Sequence, residues 1–128
     1  MLDVFYFTKA LVGLSDIALI ALELGHQSEV IESNDVQQLN VHIPPDQIVV
    51  WMPIEPLGKD LLSFESPQQE RIREFGAVSG FIVSYHIPST NFVVKMLKTV
   101  VERYDGWIGL DDNTFATRYD AEKLPNWR

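Results

Sequence analysis

Two adjacent carboxylates, Asp111 and Asp112, directly follow the short apolar run Trp-Ile-Gly-Leu at residues 107–110. Carboxylates at a strand end are common Mg²⁺ ligands and common general acids or bases. Adjacent residues of an extended segment point to opposite sides, however, so these two side chains cannot easily converge on one ion or one bond. The pattern therefore favours a solvated turn that ends a core strand.

The three histidines, His26, His42 and His86, lack a metal-binding spacing such as H-x-x-x-H or H-E-x-x-H. Ser84 and His86 alternate onto one face of an apolar segment, and Asp111 is a third polar group for the same set. A small hydrolase or ligand-binding domain with a pocket near these residues is therefore one alternative. The sequence contains no nucleophile elbow and no phosphate-binding glycine loop, so we expect no cofactor and no metal.

The length and composition predict a single domain spanning residues 1–128. The chain is 46% hydrophobic, which is enough for a core, and it contains no cysteine. Disulfides, thiolate metal sites and cysteine nucleophiles are thereby excluded, and a reducing cytoplasm is the expected location. Asp3, Lys9 and Asp16 interrupt the apolar N-terminal segment, which therefore predicts neither a signal peptide nor a membrane span.

The net charge of −8 is unevenly distributed along the chain. Residues 1–66 contain ten acids and two lysines, whereas residues 67–128 contain eight acids and eight bases. An acidic surface repels nucleic acids and anionic membranes and attracts basic proteins. We therefore expect a basic protein partner, although acidity that serves only solubility is the other interpretation.

The hydrophobic patterns predict the element order β-α-β-β-β-α-β-α-β. This order favours an α+β fold with a mostly antiparallel sheet and two or three helices packed on one face, ferredoxin-like with additions. Ser15 is the expected cap of the first helix and Ser66 that of the second. The polar C-terminal residues 111–128 are expected to form a loop and a helical turn. The predicted strands cover 2–7, 28–33, 39–43, 47–54, 77–87 and 107–110, and the helices cover 16–24, 67–75 and 91–104.

The segment Leu-Lys-Thr-Val-Val-Glu-Arg-Tyr-Asp-Gly-Trp-Ile-Gly-Leu-Asp-Asp, residues 97–112, combines an amphipathic helix, a glycine turn and a short apolar strand. It resembles the closing segment of some small immunity proteins in bacterial toxin–immunity systems. That resemblance implies a cytoplasmic protein that blocks a cognate toxin by binding it. It also implies structural roles for Tyr104, Gly106, Trp107 and Ile108, and it transfers no binding residue.

The first functional hypothesis is a non-enzymatic inhibitor of the immunity type that binds a basic partner such as a nuclease toxin. Acids in predicted loops or at strand ends, with apolar residues beside them, would form the partner-binding set. That set is Glu32, Asp35, Asp46, Glu55, Asp60, Glu65, Leu57 and Phe64. The alternatives are the hydrolase or ligand-binding domain described above and an adaptor or structural module.

If the carboxylate pair carries no chemistry, the double substitution Asp111→Asn with Asp112→Asn should leave the fold intact. Millimolar Mg²⁺, Ca²⁺ or Zn²⁺ should not raise the melting temperature of the wild type, because only a metal site in the folded state would stabilise it by mass action. Differential scanning fluorimetry with and without EDTA measures this. A metal-dependent rise that the double substitution abolishes would favour the enzyme alternative.

Overall fold

The computed structural model describes residues 1–34, 36–54, 64–110, 115 and 118–120. These residues form a seven-stranded sheet with helices on both of its faces. The elements in chain order are β1 (Leu2–Thr8), α1 (Leu14–Glu23), β2 (Ser28–Ser33), β3 (Val36–Ile43), β4 (Gln47–Pro53), α2 (Ser66–Phe75), β5 (Ser79–Tyr85), α3 (Thr90–Tyr104), β6 (Trp107–Leu110) and β7 (Arg118–Tyr119).

The strand order is β2-β3-β4-β5-β1-β6-β7, and every neighbouring pair is antiparallel. The chain runs from β1 through α1 and the β2–β3 hairpin to β4, and β5 lies between β1 and β4 in the sheet. It runs from β5 through α3 to β6, and β1 lies between β5 and β6 in the sheet. Two such interleaved crossovers are the connectivity of a ferredoxin-like core. The hairpin β2–β3, helix α2 and strand β7 are additions to that core. The predicted α+β class with an antiparallel sheet is confirmed.

The larger core lies between the sheet and the helices α1 and α3. Val4 and Tyr6 of β1 point to this side because side chains alternate along a strand. Helix α3 buries Met96 and Val100 against the sheet, as its apolar face predicts, whereas Phe92 is only half-buried and contacts the ring of His26. The other buried members include Ile17, Ile20, Leu39, Val41, Val49, Trp51, Val83 and Ile108.

A second, aromatic core covers the opposite face of the sheet centre. Phe5 and Phe7 of β1 point to this side, and helix α2 covers them with Ile72. Phe64, Trp107 and Phe115 complete the cluster. Two helices therefore share one face of the sheet and the third packs on the other, which leaves residues 4–8 of β1 buried on both sides.

The helix starts differ from those predicted. Helix α1 is capped at Gly13, whose N–H donates to the Asp16 carboxylate at 2.8 Å, so Ser15 is not the cap. Helix α2 is capped at Glu65, whose N–H donates to Gln68 Oε1 at 2.8 Å, so the predicted cap at Ser66 is wrong by one residue. In both cases the longer side chain at the third helical position decides the start, because it reaches back to the free N–H.

The turn from α3 into β6 passes very close to β1. The Tyr6 hydroxyl donates to the Asp105 carbonyl at 2.7 Å, and the Thr8 hydroxyl donates to the Tyr104 carbonyl at 2.8 Å. Burial of the phenol raises the pKa of Tyr6 above its ordinary value. Gly106 has φ +103°, and a Cβ added there would overlap the carbonyl oxygen of Phe7. This turn therefore requires glycine both for its backbone conformation and for space.

Two glycine substitutions separate these requirements. Gly25 also has positive φ, +87°, but a Cβ added there meets nothing within 4 Å. We expect Gly25→Ala to lower the free energy of unfolding by about 1–2 kcal/mol through backbone strain alone. Gly106→Ala should cost about 3 kcal/mol or more, because overlap with the β1 backbone adds to the strain. Urea denaturation compares the two, and equal losses would contradict the close approach.

Candidate protein-binding surface

Strand β2 forms one edge of the sheet. Among the described residues it pairs only with β3, in a register that places Ser28 opposite Val41. The His42 N–H donates to the Gln27 carbonyl directly opposite, at 2.9 Å. In an antiparallel ladder, hydrogen-bonded pairs alternate with pairs whose N–H and C=O groups point away from the partner strand. The backbone groups of the even-numbered residues Ser28, Val30 and Glu32 therefore point outward from the sheet.

Helix α1 leaves an apolar flank above this edge. It buries Ile17 and Ile20 in the core, but Leu19 is 58% exposed and Leu22 is 64% exposed. Val30 of β2, on the same side of the sheet, is 52% exposed. A cavity of about 650 Å³ lies between the helix flank and the strand. It is lined by Ser15, Ala18, Leu19, Leu22, His26, Gln27, Ser28 and Val30.

A second cavity, of about 360 Å³, shares Ser15 and Val30 with the first. It extends towards the start of α1 and the end of β4, along a lining of Val12, Gly13, Leu14, Gln37, Pro53 and Phe81. The two cavities adjoin at these shared residues, and we call them together the α1–β2 groove. Because the larger cavity lies beside a free strand edge, an extended polypeptide can pair with that edge while its side chains enter the cavity.

The groove lies in the most acidic part of the chain. Residues 10–54 contain no lysine or arginine and six acids, namely Asp16, Glu23, Glu29, Glu32, Asp35 and Asp46. Glu29 and Glu32 are exposed on β2 itself. Glu29 Oε1 lies 3.3 Å from His42 Nε2, and both side chains are about half exposed. Among the described residues, neither Glu29 nor Glu32 has a lysine or arginine partner, so the edge offers carboxylates next to exposed apolar side chains.

The predicted partner-binding acids do not form one compact patch. Glu32 lies near the end of β2, whereas Asp46 lies in the turn between β3 and β4. Those two positions are at opposite ends of the eight-residue strand β3, which spans about 25 Å. Glu65 is exposed at the start of α2. The remaining predicted positions Asp35, Glu55, Leu57 and Asp60 lie outside the described residues.

Phe64 is a core residue. It is only 8% exposed, and its ring centroid lies 5.6 Å from that of Phe5 and 6.3 Å from that of Phe7. The sequence placed it next to acids in an irregular stretch, which suggested an exposed anchor. The second core accounts for the difference, since β1 needs aromatic cover on the face that α1 and α3 leave open. We therefore remove Phe64 from the partner-binding set.

The residues of the enzyme alternative have separate surroundings. Ser84 is half-buried, and its hydroxyl donates to Asp3 Oδ1 at 2.6 Å, so its one proton is directed to a carboxylate of β1. His86 follows the last residue of β5 and is exposed. Asp111 lies outside the described residues. The hydrogen bond of Ser84 thus joins two neighbouring strands and does not include the histidine.

Sequence reasoning missed the most exposed part of this surface. Apolar residues, Leu19 among them, cover most of the circumference of α1 and predict a helix packed against the sheet, whereas Leu19 is exposed. The informative signal was β2 itself, where Glu29-Val30-Ile31-Glu32 places one acid and one apolar residue on each face. A central strand would be apolar on at least one face, so this pattern indicates an edge.

No family model, curated protein or solved structure matches the chain. None of the described helices is long and apolar enough to cross a bilayer. The described residues also include no group of three or more histidines, cysteines or acids placed to hold a metal ion.

The position of α1 over the edge is supported by an ion pair with α3. Arg103 Nη2 and Nη1 donate to the Glu23 carboxylate at 2.6 and 3.2 Å, and this lowers the pKa of Glu23. A carboxyl whose folded-state pKa is depressed adds stability above its unfolded pKa, and this stability is lost as the pH falls through the folded pKa.

We therefore expect Glu23→Gln to lower the melting temperature slightly at pH 7, with the difference from wild type disappearing below the ordinary glutamate pKa of 4.5. Thermal unfolding monitored by circular dichroism across pH 3–7 measures this. Glu102→Gln is the matched control, because it removes an exposed α3 acid for which the described residues provide no ion pair. A difference that grows towards acid pH would contradict the assignment.

Proposed function

We propose that this chain is a non-enzymatic protein-binding domain, an immunity-type inhibitor that binds and neutralises a basic partner such as a nuclease toxin in the bacterial cytoplasm. The observation that carries the proposal is the coincidence of three features at one edge. The strand edge is free among the described residues, the groove beside it is apolar, and residues 10–54 contain no lysine or arginine.

The charge distribution supports a basic partner. Residues 10–54 contain six acids and no lysine or arginine, which is a one-sided negative charge along the sequence, whereas α2 and α3 carry bases among their acids. A one-sided potential attracts and orients an oppositely charged protein before contact. For an inhibitor that must capture a toxin quickly, a fast association rate is the property that such a potential provides.

The exposed apolar side chains beside the β2 edge support a complex that dissociates slowly. Leu19, Leu22 and Val30 are each more than half exposed, and they lie around one cavity. Clustered exposed apolar residues surrounded by charges are typical of protein-binding surfaces. Their burial under a partner supplies the energy that exposed charge pairs alone do not.

The segment that resembles immunity proteins is consistent with a supporting role. Trp107 is 5% exposed, Ile108 is fully buried, and Gly106 fills the close approach to β1. These residues belong to the two cores, so they are not available to a partner. We therefore assign recognition to the β2 edge, at the far side of the sheet from β6.

Co-purification with the protein encoded by the neighbouring gene, which the proposal requires to be basic, tests the proposal. We expect a stable complex, relief of that protein's toxicity on co-expression, and an association rate that falls about tenfold or more between about 50 and 500 mM NaCl. The charge reversal Glu29→Lys with Glu32→Lys should reduce the rate similarly at low salt. Stopped-flow fluorescence or surface plasmon resonance measures these rates.

The matched control is Glu70→Lys with Glu74→Lys, which makes the same change in net charge on exposed positions of α2. It should retain most of the association rate, because α2 lies on the opposite face and away from the β2 edge. Equal losses in the two variants would leave acidity as a general solubility feature. Absence of any complex with the neighbouring protein would contradict the inhibitor role.

A further inference from the structure

We infer that the partner contributes an extended strand that pairs with β2, and that the strand carries the pattern basic–apolar–apolar–basic. This inference rests on the proposed binding function and specifies how the α1–β2 groove would be occupied. The occupant would be an eighth strand of the sheet, located beneath the exposed flank of α1.

The outward backbone groups of β2 are oriented to form hydrogen bonds with an added strand. Ser28, Val30 and Glu32 direct their N–H and C=O groups away from β3, and no backbone group of the described residues forms a hydrogen bond with these outward groups. A row of unpaired donors and acceptors on a sheet edge is a template for an added strand. Strand β2 has six residues, so three outward residues can form a regular ladder with a partner segment of similar length.

The side chains of β2 specify which residues the added strand needs. Residues directly opposite each other in a sheet project from the same face. The residue opposite Val30 would therefore point towards Leu19 and Leu22 and enter the 650 Å³ cavity, whose lining favours an apolar side chain. The residue opposite Glu32 would lie on that same face, where a basic side chain meets the carboxylate.

The other face of the edge repeats the requirement in the opposite order. Ile31 is 38% exposed on this face and favours an apolar residue opposite. Glu29, two residues earlier on the same face, favours a basic residue. Strand β2 thus presents Glu-Val-Ile-Glu, and its complement is basic–apolar–apolar–basic. Because that pattern reads the same in both directions, it suits a parallel or an antiparallel partner strand.

A second copy of this chain is a poorer occupant. Its own β2 would present Glu-Val-Ile-Glu again, and residues 10–54 contain no lysine or arginine to meet the carboxylates. Acids on an edge strand are also a common means of preventing homotypic pairing. The charge complementarity therefore commits the groove to a basic strand from another protein.

A short synthetic peptide serves as the probe. The peptide is acetyl-Ser-Thr-Arg-Val-Ile-Arg-Thr-Ser-amide with a fluorescent label, titrated into the full chain at low salt. A same-composition peptide with Val-Arg-Arg-Ile at its centre should bind about tenfold more weakly, because its arginines lie opposite Val30 and Ile31 and its apolar residues lie opposite the glutamates. A peptide with Glu-Val-Ile-Glu at its centre should not bind, because it places a carboxylate opposite each glutamate of β2. In hydrogen exchange, the amides of Ser28, Val30 and Glu32 should gain protection on binding.

Backbone pairing has its own control. In an added strand, alternate amides point towards β2 and the others point to solvent. Two versions of the Arg-Val-Ile-Arg peptide, N-methylated on one or the other set of alternate amides, should therefore differ, with one losing binding and the other retaining it. Equal affinity of both methylated peptides, or protection of amides away from β2, would overturn the inference.

A variant of the protein separates this inference from the proposed function. Val30→Pro removes an outward N–H and leaves the hydrogen bonds between β2 and β3 in place, so the fold should persist. Val30→Pro should weaken the binding of the Arg-Val-Ile-Arg peptide at least about tenfold, whereas Val30→Thr, which keeps the N–H, should weaken its binding much less. If the neighbouring-gene protein binds Val30→Pro as tightly as wild type, strand addition is wrong while the inhibitor role stands.

Discussion

The burial of β1 on both faces is the constraint on which the rest of the structure depends. Residues 4–8 of this strand are buried in succession, with Val4 and Tyr6 in one core and Phe5 and Phe7 in the other. A strand of this kind needs a covering layer on each side. Helices α1 and α3 provide one layer, and α2 with Phe64 and Phe115 provides the second. The sheet centre is thereby covered on both faces.

The margin formed by β2 and β3 is covered less completely. β3 contributes Leu39 and Val41 to the larger core, whereas no residue of β2 is fully buried. The flank of α1 therefore extends over a position where the sheet has no further described strand, and this arrangement leaves Leu19 and Leu22 exposed. Glu29 and Glu32 serve two purposes at such an edge. They discourage pairing between copies of the chain, and in the proposed binding mode they would select for a basic strand.

Much of the architecture could be predicted from the sequence because local patterns and tertiary packing agree. The buried strand at β5, the amphipathic helix α3 and the turn between β3 and β4 all have strong local signals, and together they indicate the ferredoxin-like connectivity. The helix caps differed by a residue or two because side chains three positions into each helix competed with the expected serines. Strand β7 was not predicted, since its two residues have too little pattern to distinguish a strand from a loop.

The candidate site was predicted only in its chemistry. The acidity of the first half of the chain and the choice of Glu32 as a binding residue follow from the sequence. The groove could not be predicted, because its position depends on which flank of α1 extends beyond the sheet. Phe64 shows the same limitation in reverse, because its neighbours in sequence are polar while its neighbours in space are Phe5 and Phe7. Long-range placement decides exposure at both positions, and local periodicity does not contain it.

Recognition and local stability are coupled at this edge. Because β2 is exposed along nearly its whole length, the hairpin depends mainly on β3 for its attachment to the core. Elements with few buried contacts open at lower free energy than the centre of a sheet. A partner strand would convert β2 from an edge strand into an interior strand. A ligand that binds only when β2 is paired with β3 stabilises the β2–β3 hairpin by mass action. The core and the binding edge thus tolerate substitutions differently, since Leu19, Leu22 and Val30 can change without creating a cavity beneath β1.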